Sequence, residues 1–224
     1  MKTIIAVLAA LALGGCATGG SAIDKRRAAF LGQAADPSSV IAAELAFARA
    51  AQERGQWTAF RETAADGAIM FVPDKVDAKT WLRGRADPPQ AVRWQPHEVW
   101  SSCDGSMAIT RGAAQWPDGR PGDFLTVWQR QPGGGYKWVV DVGQYRAEAL
   151  PAPEFVRTQV ADCRRVPPIT TEEIGEAPTV ARGQSRDATL RYAIVQPTNG
   201  VVVRAGLWDG TTHKTAVTAP FVLR

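Results

Sequence analysis

Histidine is scarce in this sequence: His97 and His213 are the only two. Cysteine is little more frequent, at Cys16, Cys103 and Cys163, and no cysteine–histidine grouping has the short spacings of a zinc site. A protein-built metal site is therefore not expected, and no motif calls for a cofactor. His97 follows Pro96 and has no serine or cysteine nucleophile to partner it, so it reads as a surface residue. The apolar run at residues 4–13 is ten residues long, whereas a spanning helix needs about 20. The 26 basic and 22 acidic residues leave a formal net charge of +4, and basic residues cluster no further than Lys25-Arg26-Arg27. That pattern excludes the basic stripe of a nucleic-acid binder.

What is present begins at the N-terminus. Lys2, the apolar run 4–13 and the small residues Gly14 and Gly15 form the pattern of an export signal. Leu13-Gly14-Gly15-Cys16 resembles the bacterial lipobox, in which a diacylglycerol is attached to the cysteine and the signal is cut just before it. The resemblance implies a signal peptide at 1–15, lipidation of Cys16 and a lipidated tether at 16–35. Gly14 stands where alanine or serine is more usual, and an ordinary cleaved signal with a chance cysteine is the alternative. Ala17, rather than an aspartate, resembles lipoproteins sent to the outer membrane, so the expected location is the bacterial cell envelope, lipid-anchored and facing the periplasm. Each buried CH₂ contributes about 0.8 kcal/mol, and stable anchoring takes more than one acyl chain. In that oxidising compartment Cys103 and Cys163 are expected to pair, the alternative being two separate buried thiols.

Residues 36–54 read as a helix capped by Asp36, with Pro37 in its first turn and Gly55 as its stop. Ile41, Leu45 and Ala48 form its apolar stripe, widened by Val40, Phe47 and Ala51. A second short helix follows around Trp57 and Phe60, then a strand at 68–72 and a short helix at 78–83 capped by Asp77. Segments 92–101, 106–116, 123–130 and 136–145 read as strands separated by Asp104-Gly105, Pro117-Asp118-Gly119-Arg120 and Pro132-Gly133-Gly134-Gly135. Helices first and strands afterwards define an α+β body at 36–150: N-terminal helices packed on a strongly curved antiparallel sheet. Residues 151–224 form a β-rich extension, either a small subdomain or added strands, with a mobile loop near 164–188.

Segment 36–146 resembles the nuclear-transport-factor-2-like superfamily, and is most similar to its SnoaL-like, ketosteroid-isomerase-like branch. The residues that carry the likeness are Glu44, Phe47 and Ala48 of the first helix, Gly105-Ser106-Met107-Ala108-Ile109-Thr110-Arg111-Gly112, Pro117-Asp118-Gly119-Arg120, Thr126-Val127-Trp128-Gln129-Arg130 and Trp138-Val139-Val140-Asp141-Val142-Gly143. The resemblance implies a cone whose open end, partly closed by helices, holds a hydrophobic pocket. Some relatives are isomerases, dehydratases or cyclases; others only bind, dimerise or assemble, and fold alone does not choose.

Asp141 is the candidate base, between Val140 and Val142 and facing away from Trp138 if the strand is regular, with Tyr145 four residues on as a candidate donor. The structural alternative is a solvent-facing Asp141 or one paired with an arginine such as Arg130. Trp57, Phe60, Trp94 and Trp128 are the candidate walls of a ligand pocket, against the alternative of cross-strand packing. Trp94 and Trp100 share one strand face by simple alternation. Asp187, Arg191, Arg204, Asp209 and His213 read as the decoration of a solvated sheet face. The leading functional reading is an envelope lipoprotein whose domain binds a small hydrophobic ligand or a protein partner without catalysis. The alternatives are an isomerase, dehydratase or hydrolase using Asp141, and a structural module that forms a homodimer through the outer sheet face.

Overall fold

The computed structural model describes residues 35–168, 179–198 and 200–223. The signal segment 1–15, the lipidation residue Cys16 and the tether as far as residue 34 lie outside the described residues, as does 169–178 of the expected loop.

Helix α1 (Pro37–Arg54) starts at its cap: Ser38 donates its backbone N–H to Asp36 at 3.1 Å. Gly55 ends it at φ 105°, a conformation open to glycine. Its buried face is Val40, Glu44, Phe47 and Ala51, while Leu45 is 44% exposed. The apolar stripe is therefore centred on the Val40–Phe47 row, not on Ile41–Leu45. A fully buried glutamate sits in that row and masks it from a hydrophobicity count. Helix α2 (Gln56–Thr63), strand β1 (Ala64–Phe71), the short β2 (Lys75–Asp77) and helix α3 (Ala78–Leu82), capped by Asp77, follow.

The meander is β3 (Arg93–Ser101), β4 (Met107–Gln115), β5 (Pro121–Arg130) and β6 (Tyr136–Tyr145). With β7 (Arg157–Val160) they form a seven-stranded sheet of order β2-β1-β6-β5-β4-β3-β7. It is curved and unclosed, and it is antiparallel except at two places: β1 runs parallel to β6, and β7 parallel to β3. The expectation of a wholly antiparallel sheet is corrected there. β1 arrives from the helical layer and β7 from the long return after β6, so neither is joined to its neighbour by a hairpin.

The extension is of both expected kinds. β7 adds to the first sheet, while β8 (Thr179–Gln184), β9 (Leu190–Val195), β10 (Val201–Trp208) and β11 (His213–Phe221) make a second, four-stranded sheet. β8 lies within 164–188, so part of the expected loop is strand.

Each face of the first sheet has its own core. On the helix side Phe47, Met70, Leu82, Trp128 and Trp138 are buried together. On the other side Leu125, Val127, Val140 and Val142 pack in one cluster with residues of the second sheet such as Ile194, Val203 and Phe221. Each fully buried side chain of this size contributes about 1.5–3 kcal/mol. The outer face expected to serve a dimer is thus covered by the chain's own second sheet, and pairing through it would require that sheet to leave.

The two sheets are also clasped at one end. At that end a Cys103–Cys163 disulfide, across a separation of 60 residues, joins the β3–β4 turn to the segment after β7 within the first sheet, and hydrogen bonds reach the second. Cys103 donates its N–H to Thr189 Oγ1 at 2.8 Å, and Asp104 donates its N–H to Asp187 Oδ2 at 2.8 Å. Asp187 is part of this clasp and not surface decoration.

Two bulges decide which side chains reach the helix side. Val127 pairs with Val140 and Trp128 with Trp138, which leaves Val139 as an extra residue on β6. Trp138 lies in the helix-side core, Val139 and Val140 on the second-sheet side, and Asp141 returns to the helix side. Asp141 therefore shares a face with Trp138, contrary to the simple alternation expected from the sequence. On β3, His97 is the extra residue between Pro96 and Glu98. That bulge sends Trp94 to the helix side and Trp100 to the second-sheet side. His97 is itself buried, at 5% exposure, and not a surface residue. Burial pushes its imidazole below the usual value of 6.5, and its Nε2 has no partner among the described residues.

Candidate functional site

The helix side of the sheet is largely filled by aromatic rings. Phe47 stands at the centre, with Phe60 at 4.7 Å, Trp94 at 4.9 Å and Trp128 at 6.0 Å between ring centroids, all edge to face. Beneath them lies Glu44, fully buried. Trp94 donates its indole N–H to Oε1 at 2.7 Å, Trp128 donates to Oε2 at 2.8 Å, and the Thr110 hydroxyl donates to Oε2 at 2.5 Å. Burial pushes this carboxyl above its ordinary value of 4.5, and the three donors oppose the rise. Glu44 fixes the planes of two indoles in the pocket region. Its neighbours in sequence gave it away only as a polar residue inside an apolar helix face.

The aromatic filling stops short of one end. There a cavity of about 160 Å³ remains. Trp57, Phe60, Met70, Trp94 and Phe124 supply most of its apolar wall, and Asp141, Gly143 and Gln56 also border it. Its size is near that of apolar cavities of about 150 Å³ that take up one benzene ring. It is too small for a multi-ring ligand, since drug-sized sites begin at about 300 Å³.

Asp141 is the acidic group of this cavity. A polar row crosses the sheet beneath it: Thr110 on β4 pairs with Thr126 on β5, which pairs with Asp141 on β6. The Thr126 hydroxyl donates to Asp141 Oδ2 at 2.9 Å. Oδ1 takes no hydrogen bond among the described residues. Burial raises the carboxyl from 3.8 to about 7, against the Thr126 hydrogen bond and with a further push from the Glu44 charge.

Gln56 is the second polar group, and sequence reasoning missed it. It stands at the start of α2 and is 8% exposed. Val92 donates its N–H to Gln56 Oε1 at 3.0 Å, which assigns the oxygen of the amide. Its NH₂ group finds no acceptor among the described residues, on a side chain that borders the cavity.

The remaining candidates fall as follows. Trp57, Phe60 and Trp94 border the cavity; Trp128, 1% exposed, lies below it and bonds to Glu44. Tyr145 is not beside Asp141. It is 40% exposed, its ring is 4.4 Å from that of Trp116, and Arg120 lies over it at 3.7 Å. Trp116 borders the cavity and separates Tyr145 from it. Its indole rests on Gly122, where a Cβ would come within 2.1 Å of the ring. Arg130 does not pair with Asp141; its side chain bonds to the Gly134 carbonyl. No group of three metal-ligating side chains is found among the described residues.

A curved sheet with helices over one face and a small pocket at the open end is the class of architecture this chain presents. Solved structures similar to it include a putative ketosteroid isomerase from Parabacteroides distasonis ATCC 8503, at 16% identity and a TM-score of 0.38 over 46% of this chain and 85% of that one. A ketosteroid isomerase-like protein from Erwinia carotovora atroseptica SCRI1043 matches at 14% identity and 0.38, over 49% of this chain and 96% of that one. Nuclear transport factor 2 from Cryptosporidium parvum matches at 12% identity and 0.35, over 46% and 87%. The similar structures are nuclear-transport-factor-2-like and ketosteroid-isomerase-like proteins, and others among them are of unknown function. No family model and no curated protein matches the chain.

Proposed function

We propose that the chain is an envelope lipoprotein whose curved-sheet domain binds a small, single-ring-sized apolar molecule carrying one polar group. The observation that carries this reading is the Asp141 carboxyl, held by Thr126 at the wall of a mostly apolar cavity of about 160 Å³. Near neutral pH it is poised between its two protonation states, so it meets either a donor or an acceptor on the ligand. The Gln56 amide offers a second, donating contact. Attachment to the membrane is assigned to lipid on Cys16, and the expected placement is the periplasmic face of the outer membrane.

The test uses the full chain purified in detergent, with phenol as the probe, followed by thermal shift and by titration calorimetry. Saturable stabilisation that weakens in Asp141→Asn and Gln56→Leu supports the reading. An unchanged melting temperature at phenol concentrations up to solubility removes it.

A second reading is favoured by the near-neutral value of Asp141: proton abstraction next to a carbonyl, with Asp141 as general base and the Gln56 amide facing the carbonyl oxygen. A base works best with a pKa near the operating pH and contributes about 10²–10⁴-fold in rate. The assay is isomerisation of cyclohex-3-enone to its conjugated isomer, followed by ultraviolet absorbance. Catalysis lost in Asp141→Asn supports this reading, and a rate equal to buffer alone removes it.

A further inference from the structure

Next to the cavity lies a larger groove of about 790 Å³. Phe71, Val72, Trp116 and Gly143 border both spaces. Along one face of β6, Asp141 borders the cavity, Gly143 borders both, and Tyr145 borders the groove. At about 3.4 Å per residue this line is about 13 Å long. Gly143 lies beneath the Trp116 ring, which is 3.8 Å from where a Cβ would stand, so that indole forms the divider between the two spaces. The far wall comes from the end of the last strand and the residues after it: Val222 and Leu223 border the groove, and Gln144 is bonded there to the Pro220 carbonyl at 2.9 Å and to the Val222 N–H at 2.8 Å.

The charges of the two compartments differ. The cavity holds a carboxyl and lies near a second, Glu44. The groove holds Arg120 and Arg146. Arg120 is matched by Asp118, which accepts from it at 2.7 Å. Arg146 is not matched: its partner Asp123, 3.6 Å away, is already paired with Arg111 at 3.2 Å. Two guanidinium groups share one carboxylate, so among the described residues one positive charge is left over at the groove.

We propose that the groove is the outer compartment of the same site, and that it receives the anionic end of an amphipathic monocarboxylic acid whose ring occupies the inner cavity. The inference rests on the pocket reading above and adds the class and orientation of the ligand. An anion is disfavoured at the inner end, whose lining is mostly apolar and includes no Lys or Arg among the described residues, and is attracted at the outer end by Arg146. One surplus guanidinium matches a monoanion. The end of the last strand and the residues after it then have a part in the site, as the wall that completes the groove.

The experiment compares three probes on the full chain in detergent: phenol, 4-(4-hydroxyphenyl)butyrate and the primary amide of that acid. The acid is expected to bind about fivefold or more tightly than its amide at low salt, the gain of a half-exposed ion pair. That advantage should shrink in 0.5 M NaCl and vanish in Arg146→Gln, a substitution at an exposed side chain. Phenol binding with equal affinities for acid and amide overturns this inference and leaves the pocket reading standing. An advantage that survives Arg146→Gln also overturns it. If phenol and both longer probes fail to bind, the pocket reading and this inference fall together.

Discussion

Replacing Asp141 by asparagine is expected to stabilise the protein above neutral pH. The Thr126 hydroxyl still has an oxygen to donate to, so the local geometry is kept while the titration is removed. The native carboxyl keeps its proton up to about pH 7, whereas in the unfolded chain it releases it near 3.8. Between those values the folded state binds more protons than the unfolded one, so stability falls as pH rises through the window and is level above it. At about 1.4 kcal/mol for each unit between the two values, the cost at pH 8 is about 4 kcal/mol as an upper limit, because water entering from the cavity reduces it. At pH 5 the same cost is about 2 kcal/mol. The gap between Asp141→Asn and the parent should therefore widen by about 2–3 kcal/mol from pH 5 to pH 8, a shift of about 4–12 °C in Tm. Urea unfolding of both proteins at pH 5, 6, 7 and 8 measures this directly, and groups not coupled to Asp141, such as His97, cancel in the difference. Parallel stability profiles would refute the burial of Asp141 in an apolar site.

Other substitutions test the remaining parts. Glu44→Gln places an NH₂ where an indole N–H or a hydroxyl now donates, and should cost about 1–3 kcal/mol in urea unfolding; no loss would show that the three hydrogen bonds to Glu44 are not made. Cys103→Ala with Cys163→Ala should cost about 2–5 kcal/mol, read as a lowered Tm that matches that of the reduced parent protein. Gly122→Ala sets a Cβ within 2.1 Å of the Trp116 ring and 2.2 Å of the Gln144 carbonyl oxygen, and should destabilise by about 1–3 kcal/mol with a change in Trp116 fluorescence. Cys16→Ser should move the chain from the membrane to the soluble fraction after fractionation of cells; a variant that stays membrane-bound would rule out the lipid anchor.

Much of the architecture was legible in local signals. Asp36, Pro37 and Gly55 bound the first helix, and the Asp104-Gly105 and Asp118-Gly119 turns delimit the meander strands, because caps and tight turns depend on residues a few positions apart. The disulfide was foreseen from the compartment implied by the N-terminus. The site was less legible. Asp141 was named from its place between valines, but on the premise that it faced away from Trp138. Tyr145 was offered as its donor, because strand alternation puts it on the same face; the placement of Trp116 between them is not a local property. Gln56 carried no recognisable pattern and Glu44 was named only for the family likeness, since a polar residue in a helix reads the same whether it faces solvent or a buried donor.

The sequence by itself determined the order of helices and strands from α1 to β6, the short β2 apart, and the presence of an acidic residue in a tryptophan-rich strand region. These follow from capping, turn chemistry and periodicity, which act over a few residues. Only the tertiary structure decided which face each side chain took. One extra residue at Val139 turned Asp141 toward the helices, and one at His97 sent Trp94 and Trp100 to opposite sides. A bulge is a mismatch between two strands, so it exists only when they pair. The covering of the outer sheet face was settled in the same way, by packing between segments far apart in the chain.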